Sequence, residues 1–337
     1  FATMEAGFVQ TTVRAWPALH SHEGADAILV SFLDSGRALR RLGFGPRLVY
    51  VLGGSFGDEE GEELSTVDVY DPRTNAWKQV AGMPTTRYEH AGLALDGKIY
   101  VLGGSAVDGC PSNVNMYDPQ SDSWQPLPDM ANGRAAFAAA AAGGKIYAIG
   151  GFDNNGSVAT AEAFDPLLGA WAAVASMSVG RRCHSVAAVD GKIYAIGGLA
   201  SGHQLLDSAE AYDPQTDNWQ QVASMPQARH SHAVSAMGGK IYVSGGYFEN
   251  VHAQGSGSST VTVFDPQANT WTQVASMGRV RKYHSSAAIG GKLYVFGGLS
   301  DGAERTASVE AYDPTSNTWA QASDLPCARD SCVAVAL

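Results

Sequence analysis

The segment AGLALDGKIYVLGGSAVDGCPSNVNMYDPQSDSW, residues 91–124, determines the fold of the chain. It contains a small apolar run, an Asp-Gly pair, a second apolar run that ends in Gly-Gly, and a Tyr-Asp-Pro that precedes a tryptophan. Asp-Gly between two apolar runs predicts a type I′ hairpin, because both central residues of that turn take positive φ. Tyr-Asp-Pro predicts a second turn, since proline presets φ at its second position. The segment therefore predicts four short strands, A to D.

The same pattern occurs six times, with phenylalanine in place of the tyrosine before Asp-Pro in the third and fifth copies. Gly-Gly pairs end at Gly54, Gly104, Gly151, Gly198, Gly246 and Gly298. The tryptophans that follow recur every 47 to 52 residues, at Trp77, Trp124, Trp171, Trp219, Trp271 and Trp319. The fifth residue of each Asp-Pro turn is Asn, Asp or Gly, the types that best tolerate left-handed backbone. A four-stranded unit this small cannot bury both faces alone. Six copies packed around an axis can, which predicts an all-β, six-bladed β-propeller.

The two ends of the repeat array predict how the ring closes. No clear strand A precedes the first Gly-Gly pair, but a sixth apolar run occupies residues 331–337. We expect this C-terminal run to be the inner strand of the first blade, with residues 28–33 as the alternative. The propeller then covers residues 47–337, and residues 1–46 form an N-terminal extension of unknown structure. The alanine-rich run 135–142 favours a helix by propensity, but the repeat register assigns it to strand A.

Composition excludes several classes of protein. Charged residues are only 16% of the 337 residues, 39 are glycine, and the formal net charge is −11. An acidic chain argues against a nucleic-acid partner, because phosphate binding needs a basic surface. The apolar run at residues 27–33 is far shorter than the ~20 residues of a membrane helix. Four cysteines do not make a disulfide framework in a chain of this length, which predicts a cytoplasmic or nuclear protein.

The Gly-Gly pair, Tyr-Asp-Pro and tryptophan together resemble the Kelch motif over about residues 47–337. The copies are most similar to the Kelch propellers of Kelch-like substrate adaptors. In those proteins a BTB and a BACK domain precede the propeller and hold a cullin ubiquitin ligase, and plant F-box adaptors carry similar arrays. Neither module is recognisable in residues 1–46. The resemblance implies a non-enzymatic module that binds a protein or peptide partner, without a cofactor.

The strand order predicts which face meets that partner. The D–A and B–C loops lie on one face, and the A–B and C–D turns lie on the other. The second face repeats nearly unchanged, with a lysine after the A–B turns at Lys98, Lys145, Lys192, Lys240 and Lys292. A partner without six-fold symmetry must be recognised by residues that differ between blades. We therefore expect binding on the D–A/B–C face.

An arginine precedes each strand A on that face, at Arg87, Arg134, Arg181, Arg229, Arg281 and Arg329. In Kelch-like adaptors the matching arginines can bind acidic peptides, since a guanidinium fork suits carboxylates. The alternative is that six identical arginines tie neighbouring blades together through backbone carbonyls. Both interpretations remain open.

Two neighbouring positions vary between copies and are better candidates for specificity. The residue after each arginine is Tyr88, Ala135, Arg182, His230, Lys282 or Asp330. The residues after the Gly-Gly pairs include Phe56, Ser105, Phe152, Leu199, Tyr247, Phe248 and Leu299. Exposed aromatic residues on loops are plausible interface anchors, and packing under their own loop is the alternative. The predicted partner-binding set is Arg87, Tyr88, Arg134, Phe152, Arg181, Arg182, Arg229, His230, Tyr247, Phe248, Arg281, Lys282 and Arg329.

Three further features have simpler explanations. The acidic first B–C loop (Asp58, Glu59, Glu60, Glu62 and Glu63) is expected to be solvated, with attraction of a basic partner as the second interpretation. Equivalent histidines occur in strand A at His90, His184, His232 and His284. A metal needs ligand atoms ~2 Å from one centre, and equivalent positions spread around a ring, so we expect core packing and no metal. Cys327 and Cys332 show no sign of a low-pKa thiolate and are expected to be inert.

Two other functions of the same fold stay open. Kelch-fold enzymes and metal-dependent specifier proteins exist, among them copper-containing galactose oxidase, sialic-acid mutarotases and iron-dependent nitrile-specifier proteins. Their ligand sets interrupt the repeat in one cluster, and the best place for such an interruption here is the long fifth-blade loop, with Glu249 and His252. Some Kelch proteins are actin-associated scaffolds, which is the second alternative.

Overall fold

Each repeat forms one antiparallel four-stranded sheet in the computed structural model, which describes residues 48–56, 63–105, 109–153, 155–248, 257–302 and 304–337. The first blade has β1 (Val49–Leu52), β2 (Val67–Asp71) and β3 (Ala76–Val80), with β24 (Val333–Ala336) as its inner strand. The second has β4 (Ala91–Leu95), β5 (Lys98–Leu102), β6 (Val114–Asp118) and β7 (Ser123–Leu127). The third has β8 (Ala138–Ala142), β9 (Lys145–Ile149), β10 (Ala161–Asp165) and β11 (Ala170–Val174).

The remaining three blades repeat this order. The fourth has β12 (Ser185–Val189), β13 (Lys192–Ile196), β14 (Ala209–Asp213) and β15 (Asn218–Val222). The fifth has β16 (Ala233–Met237), β17 (Lys240–Ser244), β18 (Val261–Asp265) and β19 (Thr270–Val274). The sixth has β20 (Ser285–Ile289), β21 (Lys292–Phe296), β22 (Val309–Asp313) and β23 (Thr318–Ala322). The six-bladed propeller is confirmed.

The C-terminal strand closes the ring as predicted. Strand β24 pairs antiparallel with β1, from Val49 opposite Ala336 to Leu52 opposite Val333. Leu48 and Leu337 extend this ladder by exchanging two backbone hydrogen bonds of 3.0 and 2.9 Å. The alternative segment 28–33 and the rest of the N-terminal extension lie outside the described residues, so the boundary at residue 46 stays a prediction.

The alanine-rich run also follows the repeat and not its propensity. Ala138–Ala142 form strand β8, paired with β9 from Ala138 opposite Ile149 to Ala142 opposite Lys145. Tertiary pairing overrides helix propensity here, because ladder bonds to β9 are available along the whole run. The turns also have the predicted backbone, with φ of 49° at Asp96 and 53° at Asn75.

The hydrophobic core lies between neighbouring blades. Tyr70 of the first blade packs edge-on against Tyr294 and Phe296 of the sixth, with ring centroids 5.7 and 6.3 Å apart. One apolar cluster spans these two blades, and further clusters span the other neighbouring pairs, for example the second and third blades. Each blade therefore buries its faces only because its neighbours are present.

Polar contacts join the same neighbours at the outer edge. In five of the six blade contacts, the residue after strand D has both of its backbone groups bonded to the next blade. The Ala175 carbonyl, for example, accepts from Trp219 Nε1 at 2.8 Å, and its N–H donates to Asp217 Oδ1 at 2.8 Å. The repeated tryptophan and the Asn or Asp of the C–D turn thus act together as one inter-blade contact.

Helical structure is minimal in the part of the chain that the structure describes. A single 3₁₀ turn, Ser201–His203, lies in the fourth B–C loop. Within the described ranges, no helix has the length and apolar character that a membrane span requires.

Candidate functional site

The two variable positions of the sequence meet in the structure. The residue after each arginine forms an isolated antiparallel bridge with the residue after the Gly-Gly pair of the same blade. The six bridges are Ser55–Asp330, Tyr88–Ser105, Ala135–Phe152, Arg182–Leu199, His230–Tyr247 and Lys282–Leu299. We call these twelve residues the rim. They place the side chains that differ between blades side by side, on backbone that hydrogen bonds hold in place.

The six arginines lie beneath the rim and are buried. Their exposed fractions are 0–2%, at Arg87, Arg134, Arg181, Arg229, Arg281 and Arg329. Arg181 shows the pattern: Nη1 donates to the carbonyls of Gly197 and Ser208, both at 3.0 Å, and Nη2 donates to Glu210 Oε1 at 2.7 Å. The Nη groups of these arginines bond inside the blade and their side chains do not reach the surface, which favours the interpretation that they tie neighbouring blades together. Contact of the arginines with a partner stays a prediction.

Glycine at the Gly-Gly pairs permits this arrangement. The arginine's own carbonyl accepts a hydrogen bond from the second glycine of the preceding blade, as from Gly151 N to Arg181 O at 2.8 Å. A Cβ on Gly150 would lie 2.7 Å from the same Arg181 oxygen, closer than real contacts allow. Each arginine therefore links two blades, its side chain to one and its backbone to the other, as the second sequence interpretation proposes.

The rim of the third to sixth blades combines cationic and aromatic side chains. Arg182 is half-buried, lies 5.3 Å from the Phe152 ring centroid, and has Nη2 3.1 Å from His203 Nδ1. Tyr247 stacks on His230 with ring centroids 4.9 Å apart, and the Lys282 ammonium lies 4.3 Å from the Tyr247 ring. Aromatic faces thus hold both cations in place.

His230 and Lys282 are themselves too buried to be contact residues. Their exposed fractions are 2% and 5%, because Tyr247 covers both. Burial, with Arg182 and His203 nearby, lowers the pKa of His230 to about 4, so its imidazole is neutral at pH 7. Contact of His230 and Lys282 with a partner stays a prediction, and their burial argues against it.

Among the predicted residues, the half-buried ones are the candidates for contact, at Tyr88, Phe152, Arg182, Tyr247 and Phe248. Phe248 lies over the guanidinium of Arg229, at 5.0 Å.

The first and sixth blades present a different chemistry. Arg305 Nε donates to Asp330 Oδ2 at 2.6 Å, and its Nη2 donates to Ser55 Oγ at 3.1 Å. Glu63, the described residue of the predicted acidic loop, accepts from Thr86 Oγ1 at 3.0 Å. The other acids of that loop, like Glu249 and His252, lie outside the described residues. The rim therefore differs in character around the ring.

The structure adds a set of residues that the sequence did not single out. They lie two places after each arginine, have φ between 49 and 53°, and are Glu89, Ala136, Cys183, Ser231, Tyr283 and Ser331. Backbone N–H to carbonyl bonds of 2.8–3.0 Å join them around the axis, as from Cys183 to Ala136. The sequence could have indicated these positions, because their residue type changes from Glu to Ala to Tyr between copies of an otherwise regular repeat.

These six residues and the residues that follow them, each directly before strand A, line a central cavity of about 110 Å³. Burial, together with Asp330, raises the pKa of Glu89, and burial raises the pKa of the Cys183 thiol to about 12. Cys183 is therefore a thiol at pH 7, and burial likewise raises the pKa of Cys332. Neither has the character of a reactive thiolate.

The four histidines pack between blades at the edge of this cavity. Burial lowers the pKa of His90, His184 and His284 to about 3, and that of His232 well below its usual value. Their neutral rings lie against the first glycine of the preceding blade, so that a Cβ on Gly197 would meet His232 Cε1 at 2.9 Å. Within the described ranges, no group of three or more His, Cys, Asp and Glu side chains could hold a metal ion.

The opposite face repeats one ion pair, as the sequence suggests. The lysine after each A–B turn reaches the aspartate that ends strand C, in the pairs Lys98–Asp118, Lys145–Asp165, Lys192–Asp213, Lys240–Asp265 and Lys292–Asp313. A surface this uniform offers a partner little to distinguish one blade from the next.

Comparison with known proteins gives two family matches. The KLHDC2/KLHL20/DRC7 Kelch-repeats domain matches residues 45–198, and the Attractin/LZTR1 beta-propeller matches residues 163–334. Together they cover the array of six repeats. In fold, the chain is similar to the solved structure of YjhT, with a TM-score of 0.70 and 17% identity over 82% of this chain and 94% of that one.

Curated relatives match over shorter segments. Kelch-like protein 36 of Rattus norvegicus is 44% identical over 48 residues, which is 14% of this chain and 8% of that protein. Kelch repeat and BTB domain-containing protein 12 of Danio rerio is 42% identical over 67 residues, 18% of this chain and 11% of that protein. An F-box/kelch-repeat protein of Arabidopsis thaliana is 43% identical over 56 residues, 17% of this chain and 14% of that protein. The matched segments thus span about a tenth of these relatives.

Proposed function

Because the chain belongs to the Kelch-repeat β-propeller family, we propose that it is a protein-interaction module that binds a partner segment across the rim. The observation that carries the proposal is the pairing of the two variable positions into six bridges around the central cavity. Rigid backbone with different side chains at each bridge can recognise a partner that has no six-fold symmetry. The uniform lysine–aspartate face cannot.

The chemistry of the rim favours a segment that carries both an anionic and an apolar side chain. Arg182 has donors in addition to the one near His203, and its guanidinium lies over the Phe152 ring, an arrangement suited to a carboxylate or phosphate. Tyr88, on the second blade, offers an aromatic ring with its hydroxyl 3.0 Å from Ser105 Oγ. Rigid aromatic rings beside an arginine are typical of interaction hot spots.

Selection from a random peptide library displayed on phage tests this assignment of the face. Peptides that bind the wild-type propeller are measured against Arg182→Glu and Tyr88→Ala by fluorescence polarisation. We expect each substitution to weaken binding at least tenfold, which corresponds to about 1.4 kcal/mol. The matched control is Lys192→Glu on the opposite face, which should leave the dissociation constant unchanged.

Circular dichroism of each variant checks that the fold is intact. Peptides that bind the two rim variants as tightly as wild type, but lose affinity for Lys192→Glu, would overturn the assignment.

We further propose that the propeller is the substrate-recognition part of an adaptor for a ubiquitin ligase, in the cytoplasm or nucleus, and not an enzyme. The relatives' names pair Kelch repeats with BTB and F-box, the modules that hold such ligases in the families it resembles. Cys183, Cys327 and Cys332 are free thiols, which suits a reducing compartment.

A reporter fused to a selected peptide tests the adaptor role in cells that express the natural full-length protein. We expect the reporter's half-life to shorten with the wild-type protein and to be restored by Arg182→Glu. A reporter that binds but keeps its half-life would contradict the adaptor role and leave the binding role standing.

A further inference from the structure

One of the six buried arginines lacks the oxygen acceptor that the others have. The second residue of strand C faces the arginine in every blade and is Asp68, Asn115, Glu162, Glu210, Thr262 or Glu310. In five blades its side-chain oxygen accepts from the guanidinium at 2.6–2.9 Å. In the fifth blade Thr262 replaces this acceptor, beside Arg229.

The length of the acceptor side chain depends on whether the residue three places before the arginine has a backbone N–H. Where that residue has an N–H, the acceptor is glutamate and its second oxygen takes the N–H, as from Ser178 N to Glu210 Oε2 at 2.8 Å. Where it is proline, at Pro84, Pro226 and Pro326, the acceptor is a shorter residue. The fifth blade has Pro226, so the short form is expected there. The first blade shows that the short form can still be a carboxylate, since Asp68 pairs with Arg329 behind Pro326.

With Thr262 at this position, the Arg229 guanidinium has no side-chain acceptor on strand C, and the threonine hydroxyl is itself unpaired among the described residues. Thr262 is 5% exposed, and its buried Oγ1 has no hydrogen-bond partner among the described residues. Arg229 is 1% exposed, and its buried Nε has no partner there, as is also true of Arg87, Arg134, Arg181 and Arg329. What distinguishes the fifth blade is the unpartnered Thr262 hydroxyl in place of an oxygen acceptor. The other bonds of Arg229 go to the Gly245 carbonyl at 3.0 Å and to Thr260 Oγ1 at 3.3 Å. The equivalent Arg281 uses both Nε and Nη2 on Glu310 Oε1, at 3.2 and 2.9 Å.

The electrostatics of this corner favour a negative charge. A buried cation without a counter-charge is costly, and the first, third, fourth and sixth blades remove this cost with an ion pair between the arginine and a carboxylate. Burial lowers the pKa of Arg229 to about 10, without an opposing effect from any carboxylate, and its guanidinium lies 5.0 Å from the Phe248 ring centroid. Guanidinium N–H groups donate only, and a hydroxyl beside them can also donate, so the ligand they suit is an acceptor with negative charge.

We propose that Arg229 and Thr262 bind a small inorganic anion, chloride in size and charge, where the other blades place a carboxylate or amide oxygen. Threonine has one side-chain heavy atom fewer than the aspartate of the first blade, so the ligand is monoatomic and not a phosphate or a peptide carboxylate. The anion completes the contact between strand β18 and the connection that enters the fifth blade, directly beneath His230 and Tyr247 of the rim.

Thermal unfolding at constant ionic strength tests the proposal, with sodium chloride exchanged stepwise for sodium gluconate. We expect the melting temperature of the wild-type chain to rise saturably with chloride, by about 5 °C once chloride exceeds its dissociation constant 100-fold. Thr262→Asp copies the first blade and supplies its own carboxylate, so it should melt higher than wild type without chloride and lose the chloride dependence. Thr262→Val removes the hydroxyl donor and should weaken the dependence at nearly equal volume.

Asn115→Thr is the matched control, because it recreates the same corner beside Arg87 and Pro84 in the second blade. It should lower the melting temperature in gluconate and add a second chloride-dependent rise. Crystals grown in sodium bromide give an independent readout, an anomalous difference peak within hydrogen-bond reach of Arg229 and Thr262. A chloride response that persists in Thr262→Asp, or bromide crystals without a peak at this corner, would overturn the proposal.

Discussion

Single residues in this propeller act in two blades at once, and Arg181 is the clearest case. Its side chain bonds the Gly197 and Ser208 carbonyls of the fourth blade, while its own carbonyl accepts from Gly151 of the third. The rim residue Arg182 follows directly, so its backbone position is set by bonds on both sides. The rim position, whose side chain varies between copies, thus directly follows an arginine that is the same in every copy and whose hydrogen bonds fix the backbone.

The buried histidines make stability depend on pH. His90 has neither ring nitrogen hydrogen-bonded among the described residues, and burial, then Arg87, lowers its pKa to about 3, against about 6.5 in an unfolded chain. Above pH 6.5 this imidazole is neutral in both the folded and the unfolded chain, so His90 causes no loss of unfolding free energy there. As pH falls from 6.5 towards 3, the unfolded chain takes up a proton that the native state refuses, which costs about 1.4 kcal/mol per pH unit.

His90→Phe should therefore flatten the fall in unfolding free energy below pH 6.5 by about 1.4 kcal/mol per pH unit. The third blade already has Phe137 at this position, which indicates that the change is tolerated. Urea unfolding between pH 4.5 and 7.5 measures the slope. The reciprocal Phe137→His should steepen it by a similar amount. Equal slopes in all three proteins would show that these imidazoles do not contribute to the pH dependence.

At the scale of elements, the contact between the second and third blades is the exception. Elsewhere the Asn or Asp of the C–D turn accepts the N–H of the residue after the preceding strand D, as Asn269 accepts from Ala223 at 2.8 Å. Here the donor is replaced by Pro128, which has no N–H, and the acceptor by Gly169. The indole bond from Trp171 to the Pro128 carbonyl remains, at 2.9 Å. Donor and acceptor have been lost together, so no polar group is left unpaired.

Restoring both partners should restore the contact. Pro128→Ala returns the N–H and Gly169→Asn returns the acceptor, at a φ of 64° that asparagine tolerates. We expect the double variant to exceed the sum of the single changes by about 1 kcal/mol, the net value of one hydrogen bond. A double-mutant cycle by urea unfolding measures this coupling. Asn269→Gly is the matched loss at an intact contact and should cost a similar amount, while a coupling near zero would deny the contact any energetic role.

The elements themselves were predictable from the sequence, because their signals repeat six times. Gly-Gly, Asp-Pro and tryptophan set the register so firmly that strand β8 could be assigned against the helix propensity of its alanines. The burial of the arginines was not predictable from the sequence, since one sequence pattern fits both a surface guanidinium and a buried one. Only the companion residue in strand C, such as Glu210 for Arg181, distinguishes the two, and that pairing depends on strand register in space.

At the scale of the whole molecule, stability comes from the ring and not from separate blades. The apolar clusters span neighbouring blades, and β24 brings the C-terminus to the first blade. Val335 illustrates the connection: it is 5% exposed, pairs with Tyr50 and packs in the cluster shared by the first and second blades. Loss of this strand should therefore weaken blades that it does not touch.

Val335→Asp tests this coupling, because it buries a charge without a partner at the closure. We expect a loss of at least about 3 kcal/mol in unfolding free energy, with coincident transitions by tryptophan fluorescence and far-ultraviolet circular dichroism. Hydrogen exchange should show reduced protection in β13 of the fourth blade, on the far side of the ring, as well as in β1. The matched control is Gln220→Ala on the exposed side of β15, expected to change stability by less than about 0.5 kcal/mol. If hydrogen exchange rises in β1 and β2 while β13 keeps its full protection, the blades unfold independently. That result would contradict the proposal that ring closure couples the stability of distant blades.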